Sequence, residues 1–223
     1  MKAGNTTYAS LKELPGMVAL FPLSAALLLP GGNMPLNVFE PRYLAMFDQA
    51  LAKDRIIGMI QPELDFDETV DEPPLCKIGC LGRITAFQES GDGRVMVNLS
   101  GICRFRLLEE VDGQGGYRRA RIAGFADDLG DMSEAEAQVD RNALLETFKQ
   151  FLEANELEAD WEGVSEASTE TLVNSLSMMS PYGAAEKQAL LEAPDLKTRA
   201  ETLIAITEIA LARESGAAAT TLQ

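Results

Sequence analysis

Residues Leu20–Leu51 read LFPLSAALLLPGGNMPLNVFEPRYLAMFDQAL, and the fold turns on how this stretch is read. Leu27-Leu28-Leu29 runs into Pro30-Gly31-Gly32, a breaker cluster that has to turn the chain. Met34 to Phe39 then reads as a short strand, with Pro35 near its start, where a missing N–H is tolerated. Pro41 suits the first turn of a helix, because its fixed φ costs nothing there. Leu44, Phe47 and Leu51 follow at i, i+3 and i+7, which is one helical face. Phe39, Leu44 and Phe47 are expected in the core. Glu40 and Arg42 sit among apolar neighbours, where charges must be paired or destabilise the fold. Such a strand–turn–strand–helix unit can seed a small sheet domain.

Outward from this unit the pattern stays strand-like to Phe125. Met17 to Leu23 precedes it as a strand, and the helix is expected over Pro41 to Lys53. Arg55 to Gln61 is an apolar run stopped by Pro62, and Glu63 to Pro74 is an acidic surface loop with six acidic residues and two prolines. Leu75 to Glu89 and Arg94 to Val111 flank Gly91-Asp92-Gly93 as a hairpin, and Val95, Val97 and Leu99 alternate with Met96, Asn98 and Ser100 as on a sheet with one buried face. A turn over Asp112 to Gly116 leads to a last strand, Tyr117 to Phe125.

Beyond Ala126 to Asp131, the expected boundary, the punctuation is helical. Ser133 with Glu136 forms a capping box for a helix to about Asn155, with Val139, Leu145, Phe148 and Leu152 as its apolar stripe. Ser168 caps a second helix through Met179, stopped by Pro181; Ala184 to Glu192 is a third. Asp195 caps the last, with Leu196, Leu203, Ile206 and Ala210 inward. Residues 1–11 and 214–223 are expected as flexible tails.

Charge divides the chain. Net charge is −16; through Phe125 there are 13 basic and 15 acidic residues, and from Ala126 onward 6 basic and 20 acidic. A field of that sign repels nucleic acid and anionic membrane. No apolar run approaches the ~18 residues of a membrane helix, and the polar N-terminus lacks the order of a signal peptide. With three cysteines and no paired framework, the expected compartment is the cytoplasm.

With no histidine in 223 residues, a Ser-His-Asp triad and a His-paired cysteine are excluded. Cys76, Cys80 and Cys103 read as small core residues rather than a metal site. Asp65, Asp67, Thr69 and Asp71 alternate as in a calcium loop, but Val70 and Cys76 occupy the glycine and glutamate positions such a loop requires. Neither Gly31-Gly32 nor Gly113-Gln114-Gly115-Gly116 leads into Lys-Ser/Thr, so neither is a phosphate loop. The expectation is a non-enzyme without cofactor or metal.

The opening stretch, together with Ile57-Gly58-Met59-Ile60-Gln61-Pro62, Ile78-Gly79-Cys80-Leu81-Gly82-Arg83-Ile84 and Leu99-Ser100-Gly101-Ile102-Cys103-Arg104-Phe105, resembles the N-terminal, substrate-binding domain of Lon proteases. The likeness weakens after Phe125 and extends in helical character to about Leu211. It implies a PUA-like, strongly bent β domain followed by a helical bundle, in a standalone form without the ATPase and protease modules.

The resulting expectation is an α+β protein: a bent antiparallel pseudo-barrel over residues 12–126 and a helical bundle over 127–213. By resemblance it binds unfolded or degron-bearing polypeptide as an adaptor or chaperone-like module, in a cleft between sheet and helices, with the oligomeric state open. The alternative is an RNA-binding PUA-like module built on Arg104, Arg106, Arg118, Arg119 and Arg121, against which the net charge argues. Pro30, Gly31, Gly79, Gly82 and Gly101 are expected to serve turns, bends or close strand approach. Tyr43 belongs to the same motif. Glu40 is expected to be buried against Arg42, Arg83 or Arg104, clamping helix to sheet.

Overall fold

The computed structural model describes residues 1–64, 72–111 and 115–221, with side chains through Arg213. The calcium-like aspartates of the acidic loop, the tip of the Asp112–Gly116 turn and the side chains from 214 onward lie outside the described residues.

Among the described residues eight strands come first: β1 (Lys2–Ala3), β2 (Thr6–Thr7), β3 (Met17–Pro22), β4 (Asn33–Val38), then α1 (Pro41–Leu51), β5 (Ile56–Pro62), β6 (Leu75–Glu89), β7 (Val95–Val111) and β8 (Arg119–Gly124). The main sheet runs β4-β7-β6-β5-β3-β8, and β7 pairs with β8 as well. That extra pairing closes a five-stranded barrel. The long β7 uses one edge twice, with β4 over Val95–Ser100 and with β8 over Phe105–Val111. Between those partners the strand must bend, and Gly101 sits there: a Cβ would collide with Leu29 O. A Cβ added at Gly79 would meet a Phe105 ring carbon at 2.5 Å, and one at Gly82 would meet Leu28 Cδ2 at 2.8 Å.

The sheet departs from the antiparallel expectation at one place. β3 and β5 pair in parallel, Leu20 opposite Gly58, because β4 and α1 form the crossover that a parallel pair requires. The first eleven residues also differ from a flexible tail. β1 and β2 form a hairpin that buries Ala3 and Tyr8 in the second of two apolar clusters, beside Leu20, Leu81 and Phe105.

Among the described residues there are seven α-helices. After α1 come α2 (Ser133–Glu136), α3 (Arg141–Ala154), α4 (Trp161–Glu166), α5 (Thr169–Met179), α6 (Ala184–Glu192) and α7 (Leu196–Thr221). The single helix expected from Ser133 to Asn155 is two. Asp140 accepts from Ala143 N at 3.0 Å and starts a new helix, while Glu136 caps elsewhere, accepting from Glu170 N at 2.7 Å. Ser168 and Asp195 do cap as expected, accepting from the N–H groups of Thr171 and Thr198. The inward stripe of α3 is Leu144, Thr147, Phe151 and Leu152, with Val139, Leu145 and Phe148 only partly covered. In α1 it is Tyr43, Met46, Phe47 and Ala50, with Leu44 and Leu51 at its margin. Both helices are apolar on more than one line, so packing selects the line. The backbone of α7 continues through Thr221, into the segment expected as a tail.

Candidate functional site

Two places gather the motif residues: a buried polar seam between barrel and bundle, and an open hollow on the barrel. At the seam, Arg104 is 4% exposed and holds Asp128, itself 7% exposed, through Nη2 to Oδ1 at 2.8 Å and Nε to Oδ2 at 2.9 Å. The backbone N–H of Arg104 also donates to Asp128 Oδ2 at 2.8 Å. The remaining guanidinium hydrogens cap the end of α6, donating to Leu191 O at 3.3 Å, Pro194 O at 3.4 Å and Ala193 O. Burial opposes the Arg104 charge, but hydrogen bonds to Asp128 and its charge outweigh that and keep the guanidinium pKa above its ordinary value.

Beside it Arg199, 3% exposed, donates to Leu190 O at 3.0 Å and Asn174 Oδ1 at 3.0 Å. Asn174 in turn donates to Pro30 O at 3.0 Å, so the bundle grips the Pro30-Gly31-Gly32 turn. That turn is fixed from the sheet side by Gly31 N to Gly101 O at 3.1 Å and Gly101 N to Gly32 O at 2.8 Å, with Gly31 at φ +74. Burial, with Arg104 adjacent, lowers Arg199 to about 10, and its Nη2 has no hydrogen-bond partner among the described residues. A third link joins Gln61 of β5 to Gln188 of α6 at 3.1 Å, and Gln188 reaches Ile78 O at 3.2 Å. The seam, where a cleft was expected, is therefore filled.

Glu40 is not part of it. Glu40 and Arg42 bond to each other at 2.9 Å with side chains 42% and 43% exposed, so the buried clamp expected of Glu40 belongs to Asp128. Glu40 lies two residues beyond the end of β4, at the N-cap of α1, and its carboxylate makes no cap bond to that helix. Arg83 is separate again, donating to Asp54 O at 2.9 Å and Tyr8 OH at 3.3 Å to hold the N-terminal hairpin. Phe39 is 59% exposed rather than core, because it continues the outer face of β4.

The hollow, about 170 Å³, lies where β3, α1, β5 and the start of β8 converge. Pro22, Pro62 and Pro73 wall it, with Tyr43 and Tyr117, and Arg42 and Arg118 reach its rim beside Glu72. Tyr43 is fixed edge-on to Phe21 at 4.5 Å, and the Arg42 guanidinium lies 4.7 Å above its ring. Burial raises the Tyr43 pKa, with Arg42 pulling the other way. Tyr117 donates to Gln49 of α1. Arg118 is held by Glu110 at 2.6 Å and by Pro73 O at 2.5 Å. This volume is below that of small-molecule pockets.

No described group of His, Cys, Asp and Glu is placed to hold a metal ion. The three cysteines are buried in the barrel, and burial, with Asp128 second, pushes the Cys103 thiol up to about 12. Of the arginines of the RNA alternative, Arg104 is buried, Arg118 and Arg121 face Glu110 and Glu109, Arg106 lies over Phe125, and Arg119 reaches Met17 Sδ. Among the described residues no helix is long and apolar enough to cross a membrane.

Asp128, Asn174, Arg199 and Gln188 escaped the sequence analysis. Each has a partner 24 or more positions away, up to 144 for Asn174, and no local pattern marks them.

Comparison with known proteins is consistent with this architecture. The structure is similar to the N-terminal domain of Mycobacterium avium complex Lon protease (TM-score 0.61, 20% identity, covering 86% of this chain and 98% of that one). It is also similar to a Lon N-terminal domain protein from Xanthomonas campestris (TM-score 0.57, 23% identity, 85% and 97% covered). In sequence it is 29% identical over 196 residues to a Lon protease of Flavobacterium johnsoniae and 26% identical over 200 residues to Lon protease 2 of Myxococcus xanthus. The match covers 86% of this chain but 24% of either relative's length. The family model for the ATP-dependent protease La (LON) substrate-binding domain matches residues 17–208, and the chain belongs to that family.

Proposed function

We propose that this chain binds unfolded or degron-bearing polypeptide without catalysing a reaction on it, as a cytoplasmic adaptor or chaperone-like protein. On this reading residues 12–126 carry the contact surface and residues 127–213 brace it through the seam. The observation that carries it is the hollow: the Arg42 and Tyr43 of the family motif meet Tyr117 and Arg118 around a space of about 170 Å³. Two tyrosine faces and three prolines supply apolar contact, while each arginine is already charge-paired, so the site suits a neutral side chain.

The test is titration of fluorescein-labelled β-casein, an unfolded polypeptide, by anisotropy. Saturable binding that weakens several-fold in Arg42→Ala, an exposed position, is expected. Absence of saturable binding to the intact chain refutes the proposal.

A further inference from the structure

We propose that the open edge of β4 takes up an extended segment of polypeptide as an added strand; this rests on the polypeptide-binding function above and specifies how the backbone is held. Among the described residues β4 pairs on one side only, with β7. Gly101 N–H donates to Gly32 O at 2.8 Å, one step before the pair Asn33–Ser100 in the same register. Hydrogen-bonded pairs alternate along an antiparallel ladder. Met34, Leu36 and Val38 therefore turn their backbone groups to β7, and Asn33, Pro35 and Asn37 turn theirs outward.

That edge is exposed at all three outward residues. It offers the carbonyls of Asn33, Pro35 and Asn37 and the N–H groups of Asn33 and Asn37, which is five of the six groups a regular edge would present. A strand laid beside it sits about 4.8 Å away and satisfies them. Two of the three cross-strand rows beside that position, Pro35–Asn98–Ala86 and Asn37–Met96–Gln88, hold no charged residue in a chain of net charge −16. The third, Asn33–Ser100–Arg83, carries one cation at its far end, donating to Asp54 O and Tyr8 OH. Met96 is 56% exposed and Phe39, at the end of the edge, 59%. An uncharged extended segment meets main-chain partners and apolar contact there without crossing the acidic field. A second copy fits less well: centred edge-to-edge pairing sets Pro35 against Pro35, loses both bonds of the central pair, and joins two strongly acidic chains.

Residue-resolved amide hydrogen exchange on the full chain, with and without saturating β-casein, tests this. The Asn33 and Asn37 amides are expected to slow about tenfold or more on adding casein, while Met34, Leu36 and Val38, already bonded to β7, do not change. Asn37→Pro removes one outward donor and should weaken casein binding several-fold; if that variant does not fold, exchange in the unaltered chain decides. Casein binding that is sensitive to Arg42→Ala but leaves Asn33 and Asn37 unprotected overturns the edge and leaves the proposed function standing. No binding overturns both. Protection that rises with protein concentration in the absence of casein identifies a second copy as the occupant and overturns the proposal.

Discussion

Two ion pairs of this molecule have nearly the same length and opposite surroundings. Arg104–Asp128 closes at 2.8 Å with both side chains under 8% exposed, and Arg42–Glu40 at 2.9 Å with both above 40% exposed. Distance alone would rank them equal. In the seam, water cannot solvate a charge whose partner is removed, and three carbonyls at the end of α6 and a backbone N–H depend on the same groups. On the surface, water replaces either partner at little cost. The difference teaches that the buried pair organises the junction of barrel and bundle, whereas the exposed pair is free to serve the hollow.

The sharpest way to break this comparison is Asp128→Ala. It leaves Arg104 charged and buried, and should lower the unfolding free energy by about 3–5 kcal/mol, read from the urea midpoint. A midpoint shift as small as that of a surface variant would mean the seam admits water. Asn174→Ala comes next. It strips a donor from Pro30 O and an acceptor from Arg199, and the cost should be about 1–3 kcal/mol, with the Gly31 and Gly32 amide signals shifting in NMR spectra.

Glu40→Gln should cost about 0–1 kcal/mol. A loss as large as that of Asp128→Ala would show that exposure does not separate the pairs. The smallest effect concerns Glu170, whose carboxyl pKa is raised by burial and by Glu136. A carboxyl with a raised folded-state pKa takes stability away as pH rises from the ordinary glutamate range through the folded value, because the unfolded chain ionises first. Glu170→Gln should therefore be slightly more stable than the parent at neutral pH and equal to it in acid, measured by melting temperature across that range.

Much of the barrel was legible. Pro30-Gly31-Gly32, Pro35 and Pro41 act through backbone geometry, which a residue imposes on itself, and each stands where its φ or missing N–H requires. Pro35 lies on the free edge of β4 with nothing to donate, and Pro41 at the first turn of α1. Asp195 and Ser168 were found as caps for the same reason, since their partners are three residues away. Glu40 pairs with Arg42 as expected, but its burial was misjudged, because an apolar neighbourhood in sequence is not one in space: alternation carries Phe39 outward, and Glu40 stands at the exposed start of α1.

By itself the sequence determined the α+β division, the turns, the caps, the acidic bundle and the Lon-like motif, all of which depend on residues within a few positions of one another. Only the tertiary structure decided which line of α1 and α3 faces inward, that β3 and β5 run parallel, that the N-terminal hairpin packs on the barrel, and that Asp128 rather than Glu40 holds the buried arginine. Those outcomes rest on contacts between distant segments, where burial strips water from charged groups and leaves each with the partner the fold happens to bring within reach.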